Sequence, residues 1–167
     1  MPNWCYNTLT IEGKQENRDA FRKFAVGDEV VHNYNSHRHE LLPLCFKRFI
    51  PPPSLIFDED WDETAWCHEN WGTKWEPQDV EVIVEGFSLC YTFDTAWAPP
   101  RQIVEAAAER FPTLKVTLEY EEPQMGFRGI YERLGETVLQ DGHWRWEWIP
   151  EDELDALYES QPDAEGE

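Results

Sequence analysis

The sequence predicts an α+β fold in which helices pack against one antiparallel sheet, and three observations predict it. Residues 3–11 and 114–120 alternate polar and apolar side chains with the two-residue period of strands. Val80 to Val84 and Phe87 to Asp94 flank the tight turn Glu85-Gly86, as the arms of a hairpin do. Two further stretches place apolar residues at helical spacing.

The elements follow in order. In the first strand Trp4, Tyr6, Thr8 and Thr10 fall on one face, with Cys5, Leu9 and Ile11 on the other. Glu12-Gly13-Lys14 turns the chain. Asn17 to Val26 reads as a helix with Ala20, Phe21, Phe24 and Ala25 on one side, stopped by Gly27. Residues 28–78 carry Pro43, Pro51, Pro52, Pro53 and Pro77 and read as an insertion, because long irregular segments in compact domains usually carry function or lack order. Within it Asp58 to Asn70 fits a helix with Trp61 and Ala65 on one face, and Leu41 to Ile50 is apolar enough to pack on the body. The hairpin comes next. Pro99-Pro100 then opens a helix with Ile103, Val104, Ala107 and Phe111 as its apolar side, and Pro112 ends it. The strand with Leu114, Val116, Leu118 and Tyr120 closes the series. Strand, helix, insertion, hairpin, helix, strand is the βαββαβ order of a ferredoxin-like sandwich. Phe127 to Tyr131, Glu136 to Leu139 and His143 to Trp148 predict a small C-terminal β-meander over about 125–149. Pro150 to Ser160 predicts a short acidic helix with Leu154 and Leu157 docking, followed by a loose end. The expected division is one domain over 1–149 and an acidic helix and tail over 150–167.

Charge bounds the partners. Of 34 acids against 14 bases, eight acids and no base follow Pro150, leaving 26 against 14 over residues 1–149. The body is therefore acidic without its tail. Contacts to a phosphate backbone need clustered cations, so direct nucleic-acid binding is disfavoured. A strongly acidic surface attracts basic partners, or imitates nucleic acid. Cys5, Cys45, Cys67 and Cys90 show no C-x-x-C spacing, which predicts free core thiols in a reducing cytoplasm. Met1-Pro2-Asn3-Trp4 lacks the basic start and apolar core of a signal peptide, and no apolar run approaches the roughly 20 residues of a membrane span.

Several segments together resemble a known family: Met1-Pro2-Asn3-Trp4-Cys5, Phe49-Ile50-Pro51-Pro52-Pro53, Asn70-Trp71-Gly72-Thr73-Lys74-Trp75, Phe93 to Pro100 and Tyr120 to Phe127. They are similar to the YubB-type ferredoxin-like domain family of uncharacterised bacterial, plasmid and phage proteins. The resemblance covers roughly residues 1–131. It implies the ferredoxin-like fold and a bacterial or mobile-element setting, and no activity.

The candidate site is a set of aromatic residues at turns. Trp4, Asn70, Trp71, Gly72, Thr73, Lys74, Trp75 and Trp97, with Trp61 and Trp66 near, can form a stacking platform or pin the insertion on the sheet. Gly72 suggests an unusual backbone angle, and Lys74 is placed to bind an anion or lie over a Trp ring. Glu119 and Glu121 share a strand face, where paired carboxylates do acid–base work or hold a cation. His37-x-His39-Glu40 with Cys45 lacks the paired spacing of a structural zinc site, and no metal is expected. Cys67-His68 are helix neighbours about 100° apart, which is poor geometry for a dyad. No phosphate-cradling loop or nucleophile elbow appears, so no cofactor is expected and a binding role is favoured over an enzyme. The leading expectation is a cytoplasmic protein that engages a protein partner or small ligand through the Trp surface. The alternatives are an acidic decoy that imitates nucleic acid, and a metal-dependent hydrolase at Glu119, Glu121 and His68. Edge pairing into a homodimer is compatible with such a sheet.

Overall fold

The computed structural model describes residues 3–28, 30–33, 38–53 and 61–145, and of residues 30–33 and 38–40 it describes the backbone. The strands are β1 (Trp4–Glu12), β2 (Val30–Asn33), β3 (Arg38–Leu41), β4 (Gln78–Glu85), β5 (Ser88–Ala96), β6 (Lys115–Glu122), β7 (Phe127–Leu134) and β8 (Thr137–Arg145). The helices are α1 (Gln15–Ala25), α2 (Glu63–Trp71) and α3 (Arg101–Arg110), with a 3₁₀ turn at Phe46–Arg48. Six strands form one antiparallel sheet in the order β4-β5-β1-β6-β7-β8, and β2 and β3 pair separately.

Alternation fixes which face of the sheet is covered. Cys5, Asn7, Leu9 and Ile11 of β1 are buried, as are Leu89, Tyr91 and Phe93 of β5 and Val116, Leu118 and Tyr120 of β6. The helices pack on that face. From α1, Phe21 meets Tyr91 with centroids 6.1 Å apart and Phe111 at 5.2 Å. From α3, Ile103, Val104, Ala107 and Ala108 are buried. Each large apolar side chain so buried stabilises the fold by roughly 1.5–3 kcal/mol. The opposite face, with Tyr6, Thr8, Glu119 and Glu121, carries no helix among the described residues.

Four expectations need correction. In α1, Ala20 is exposed and Arg18 takes the buried place, its stem lying along apolar surface and its Nη1 3.5 Å from the Gly86 carbonyl. The helix expected over Asp58 to Asn70 starts at Glu63, because the Asp62 side chain accepts a hydrogen bond from the Ala65 N–H at 3.1 Å and caps it there. Residues 58–60 lie outside the described residues. The face that α2 buries is Cys67 and Trp71, one turn apart, whereas Ala65 is exposed. Where three short C-terminal segments were expected, the described residues form two long strands, and residues 146–148 of the third segment lie outside the described residues. Gly135, at φ 55, turns β7 into β8, and both extend the main sheet.

The added strands are tied to the body. Tyr131 donates to Glu105 of α3 at 2.9 Å, and Arg101 lies 4.2 Å over the Tyr131 ring while pairing with Asp141 at 2.6 Å. Tyr120 lies on Gly129, where a β-carbon would overlap its ring and come within 2.6 Å of the Gly142 carbonyl oxygen. Glycine is needed there for close approach. The expected acidic helix over Pro150 to Ser160 lies outside the described residues.

Candidate functional site

The Trp-bearing segments meet at one end of the sheet. Gly72 ends α2 at φ 82, the left-handed angle that glycine adopts freely, so the chain turns back toward the end of β5. Thr73 donates to the Ala96 carbonyl at 3.0 Å and fixes that return. On the other side Asn7 donates to the Cys5 carbonyl at 2.8 Å and to Thr95 Oγ1 at 2.9 Å, and Thr95 donates to the Ala98 carbonyl at 2.8 Å. This buried chain of bonds shapes the turn after β5. Trp97 sits on that turn at φ 65, its N–H donating to the Asn3 carbonyl at 2.9 Å. A bulky residue is rare at such an angle, and backbone strain of that kind concentrates at functional positions.

The result is a corner of rings around a cation. Lys74 Nζ lies 4.9 Å from the Trp75 ring centroid and 5.1 Å from that of Trp97. Trp4 packs on Trp75 at 6.4 Å, and His68 stacks on the outer side of the corner against Trp97 at 6.4 Å. Trp97 is 38% exposed, and Trp4, Lys74 and Trp75 are half-buried.

Two expected surface residues are not at the surface. Trp71 is 1% exposed, its Nε1–H donates to the Ile50 carbonyl at 2.8 Å, and its ring meets Phe46 and Trp66 edge to face. Thr73 is fully buried by the bond that fixes the loop. Both shape the corner from inside and present nothing to a ligand. Asn70 is half-buried with its amide donating to the Trp66 carbonyl at 2.9 Å, and Gly72 is crowded by Pro99 and Gln102.

Beside the corner lies a groove of about 680 Å³ on the face of the sheet that no described helix covers. Strand register builds it in rows. One row runs Asp94, Tyr6, Glu121, Arg128, Trp144 across β5, β1, β6, β7 and β8. The next runs Glu81, Thr92, Thr8, Glu119, Ile130 from β4 to β7. Asp79, held at φ 50 where the β4–β5 register shifts, adds a fifth carboxylate to the lining. Glu119 and Glu121 do share a face, and both line the groove. Tyr6, Asp79, Glu81, Asp94, Arg128 and Trp144 were missed by sequence reasoning. Only the outward position of Tyr6 in its alternating strand pointed there. Trp4 precedes Tyr6 by two residues on the same face, so corner and groove are continuous along β1.

Partial burial, and then the neighbouring Asp79, push the Asp94 carboxyl up to about 6 from an ordinary 3.8. An acid with a raised value binds its proton more tightly when folded, so its ionisation opposes folding above that value. Asp94 therefore costs stability as pH rises from about 4 through 6. Asp94 is flanked by Gln78 on β4 and Tyr6 on β1, with Asp79 as the charged group beside it and Glu121 one strand beyond Tyr6. An Asp94→Asn variant is expected to gain about 1 kcal/mol at neutral pH, discounted for solvent screening of a half-exposed group. It should also flatten the stability profile between pH 4 and 6. Urea melts of both proteins across that range check this, and an equal or lower midpoint for the variant at pH 7 contradicts it.

Cys5, Cys45 and Cys67 are buried and free, and burial pushes their thiols up to about 12, 12 and 11. Cys67 faces the core and His68 solvent, so the two do not form a dyad. His68 does not line the groove that holds Glu119 and Glu121. Among the described residues no three His, Cys, Asp or Glu side chains are grouped as metal ligands. His37 lies outside the described residues, as do the side chains of His39 and Glu40. No helix among the described residues is long and apolar enough to cross a membrane.

A six-stranded antiparallel sheet with helices on one face defines a ferredoxin-like α+β domain. The chain belongs to the family described as the ferredoxin-like domain in Api92-like protein, whose model matches residues 57–161. Among solved structures it is similar to the crystal structure of protein Api92 from Yersinia pseudotuberculosis. The TM-score is 0.67 at 13% identity, over 90% of this chain and 100% of that one, a likeness that shows the fold alone. No curated protein matches.

Proposed function

We propose that this protein is a cytoplasmic interaction protein of bacterial or mobile-element origin. It engages a partner through the Trp4, Lys74, Trp75 and Trp97 corner and the adjoining sheet face. The observation that carries this reading is Trp97, a large aromatic on a left-handed backbone, half in solvent and backed by a cation. Aromatics in such settings dominate binding energy at interfaces. The YubB-type resemblance of the motifs supports the proposed setting. The βαββαβ reading with an insertion after α1 supports the interaction surface, because the insertion carries Lys74 and Trp75.

Tagged protein should capture a stoichiometric partner from nuclease-treated bacterial lysate, and a Lys74→Ala, Trp97→Ala double variant should lose it. Each alanine at an interface anchor typically costs about 1–3 kcal/mol, so the pair should weaken capture at least about tenfold. Undiminished capture by a folded double variant sinks this reading. A second reading, the acidic decoy, is favoured by the concentration of carboxylates on one sheet face. In that case the captured partner is itself a nucleic-acid-binding protein.

A further inference from the structure

The sheet face that no described helix covers carries a more specific arrangement than an acidic surface. Tyr6 is 47% exposed and its register neighbours on either side are Asp94 and Glu121. Adjacent strands lie about 4.8 Å apart, so Asp94 and Glu121 leave the sheet one strand to either side of Tyr6, on the same face as its ring. In the same row Trp144, 50% exposed, stands two strands beyond Glu121. The electron-rich face of a ring attracts a cation, and flanking carboxylates accept its N–H groups. Guanidinium suits this socket best, because it is planar, stacks on rings and presents a fork of donors.

Charge decides the occupant. The groove holds Asp79, Glu81, Asp94, Glu119 and Glu121 against Arg128. The neighbouring cation on this face, Lys115, is engaged by Glu12 at 2.5 Å and Glu132 at 3.5 Å. A nucleic acid is repelled by this face. So is the chain's own segment after Pro150, with eight acids and no base. A second copy stacked face to face sets the same carboxylates against each other. What remains complementary is a chain of opposite charge.

We infer that the open sheet face is a docking site for an arginine-rich segment of a partner protein, with one guanidinium on Tyr6 between Asp94 and Glu121. This names the partner's chemistry and rests on the interaction reading above. The Trp corner then holds the less charged flank of the same segment.

The test uses the full chain and labelled hexa-arginine and hexa-lysine peptides, with spermine as a small-cation arm, at low and physiological ionic strength. A Tyr6→Ala variant should bind hexa-arginine about tenfold more weakly and lose the preference over hexa-lysine. An Asp94→Asn, Glu121→Gln variant should weaken both peptides at least about tenfold. A Glu16→Gln, Glu109→Gln variant, with the same charge change on exposed helix positions, should stay within about twofold of the parent. Amide shifts on adding hexa-arginine should map to β1, β5 and β6, which reads the site without any substitution. Equal weakening by both charge-matched pairs overturns the proposal, since bulk charge would then explain binding. Spermine matching the peptide overturns it in favour of a small cation, and a dimer dissolved by Tyr6→Ala overturns it in favour of self-association. Absent peptide binding with lysate capture retained overturns the arginine-rich segment alone. Loss of both overturns the interaction reading with it.

Discussion

Replacing Trp71 by alanine is expected to cost roughly 3–5 kcal/mol, the range for deleting a buried aromatic. The reasons are local. The ring is 1% exposed and meets Phe46 at 5.8 Å and Trp66 at 5.5 Å, so its loss leaves a void between α2 and the 3₁₀ turn. Its Nε1–H holds the Ile50 carbonyl at 2.8 Å, and that acceptor loses its partner as well. A Trp71→Phe variant fills most of the volume and should lose less. Chemical denaturation of both, followed by far-ultraviolet circular dichroism, checks the order. A loss under about 1 kcal/mol for the alanine variant would mean that the site collapses readily. Because of this cost, a Trp71 variant is unsuited to testing the corner as a surface.

Glu76 carries the second large effect. Its carboxylate accepts from the Phe46 N–H at 2.6 Å and the Lys47 N–H at 3.0 Å, holding the 3₁₀ turn at its start. Burial pushes its carboxyl upward, against the two N–H bonds that favour the charge. Glu76→Ala strands both donors and should cost about 3 kcal/mol, at roughly 1–3 kcal/mol per unsatisfied buried group less any water that enters. Glu76→Gln removes the buried charge but accepts from only one of the two N–H groups and sets its amide NH2 against the other, so it should cost about 1–2 kcal/mol at neutral pH, less than alanine. Its pH dependence has a definite sign. A raised carboxyl contributes less stability as pH climbs through its folded value, so the Gln variant should close the gap with the parent as pH rises. A gap that widens on going from pH 5 to 8 would falsify this account.

Much of the fold was legible because β1 and β5 alternate cleanly, and β6 does so apart from the buried Thr117. Each has one buried face, and a strand with one buried face writes its period into its sequence. The β4–β5 hairpin was legible from Glu85-Gly86, and Gly86 does take a positive φ of 53. β7 and β8 were read too short because β8 is nearly all exposed, so burial imposes no alternation on it. The pair β2–β3 was missed for want of any period in Val30–Asn33 or Arg38–Leu41.

The candidate site was legible in part. Gly72 announced its left-handed turn, but Trp97 did not, because nothing in a tryptophan marks a positive φ. Which tryptophans face inward was also hidden. Trp71 and Trp75 are four apart with similar neighbours, and only the capped turn at Gly72 separates an interior ring from a half-exposed one. The groove was least legible of all, since Tyr6, Asp94, Glu121, Arg128 and Trp144 come from five strands and meet only through register.

The central position of β1 has a consequence for how this chain is made. Its partners lie far downstream, between 76 residues on for Glu12 with Ser88 and 115 residues on for Tyr6 with Glu121. Bacterial or other ribosomes add about 5–20 residues per second, so β1 waits of order ten seconds after leaving the exit tunnel before both neighbours exist. Throughout that wait Cys5, Leu9 and Ile11 have no sheet to enter, and a chaperone or the neighbouring helix must shield them. Residues 57–161, the span of the family match, lack this strand, and without it β4–β5 and β6–β7–β8 share no hydrogen-bonded edge. Two separately synthesised pieces cut within residues 54–60 should therefore each fail to fold, yet regain the sheet when mixed.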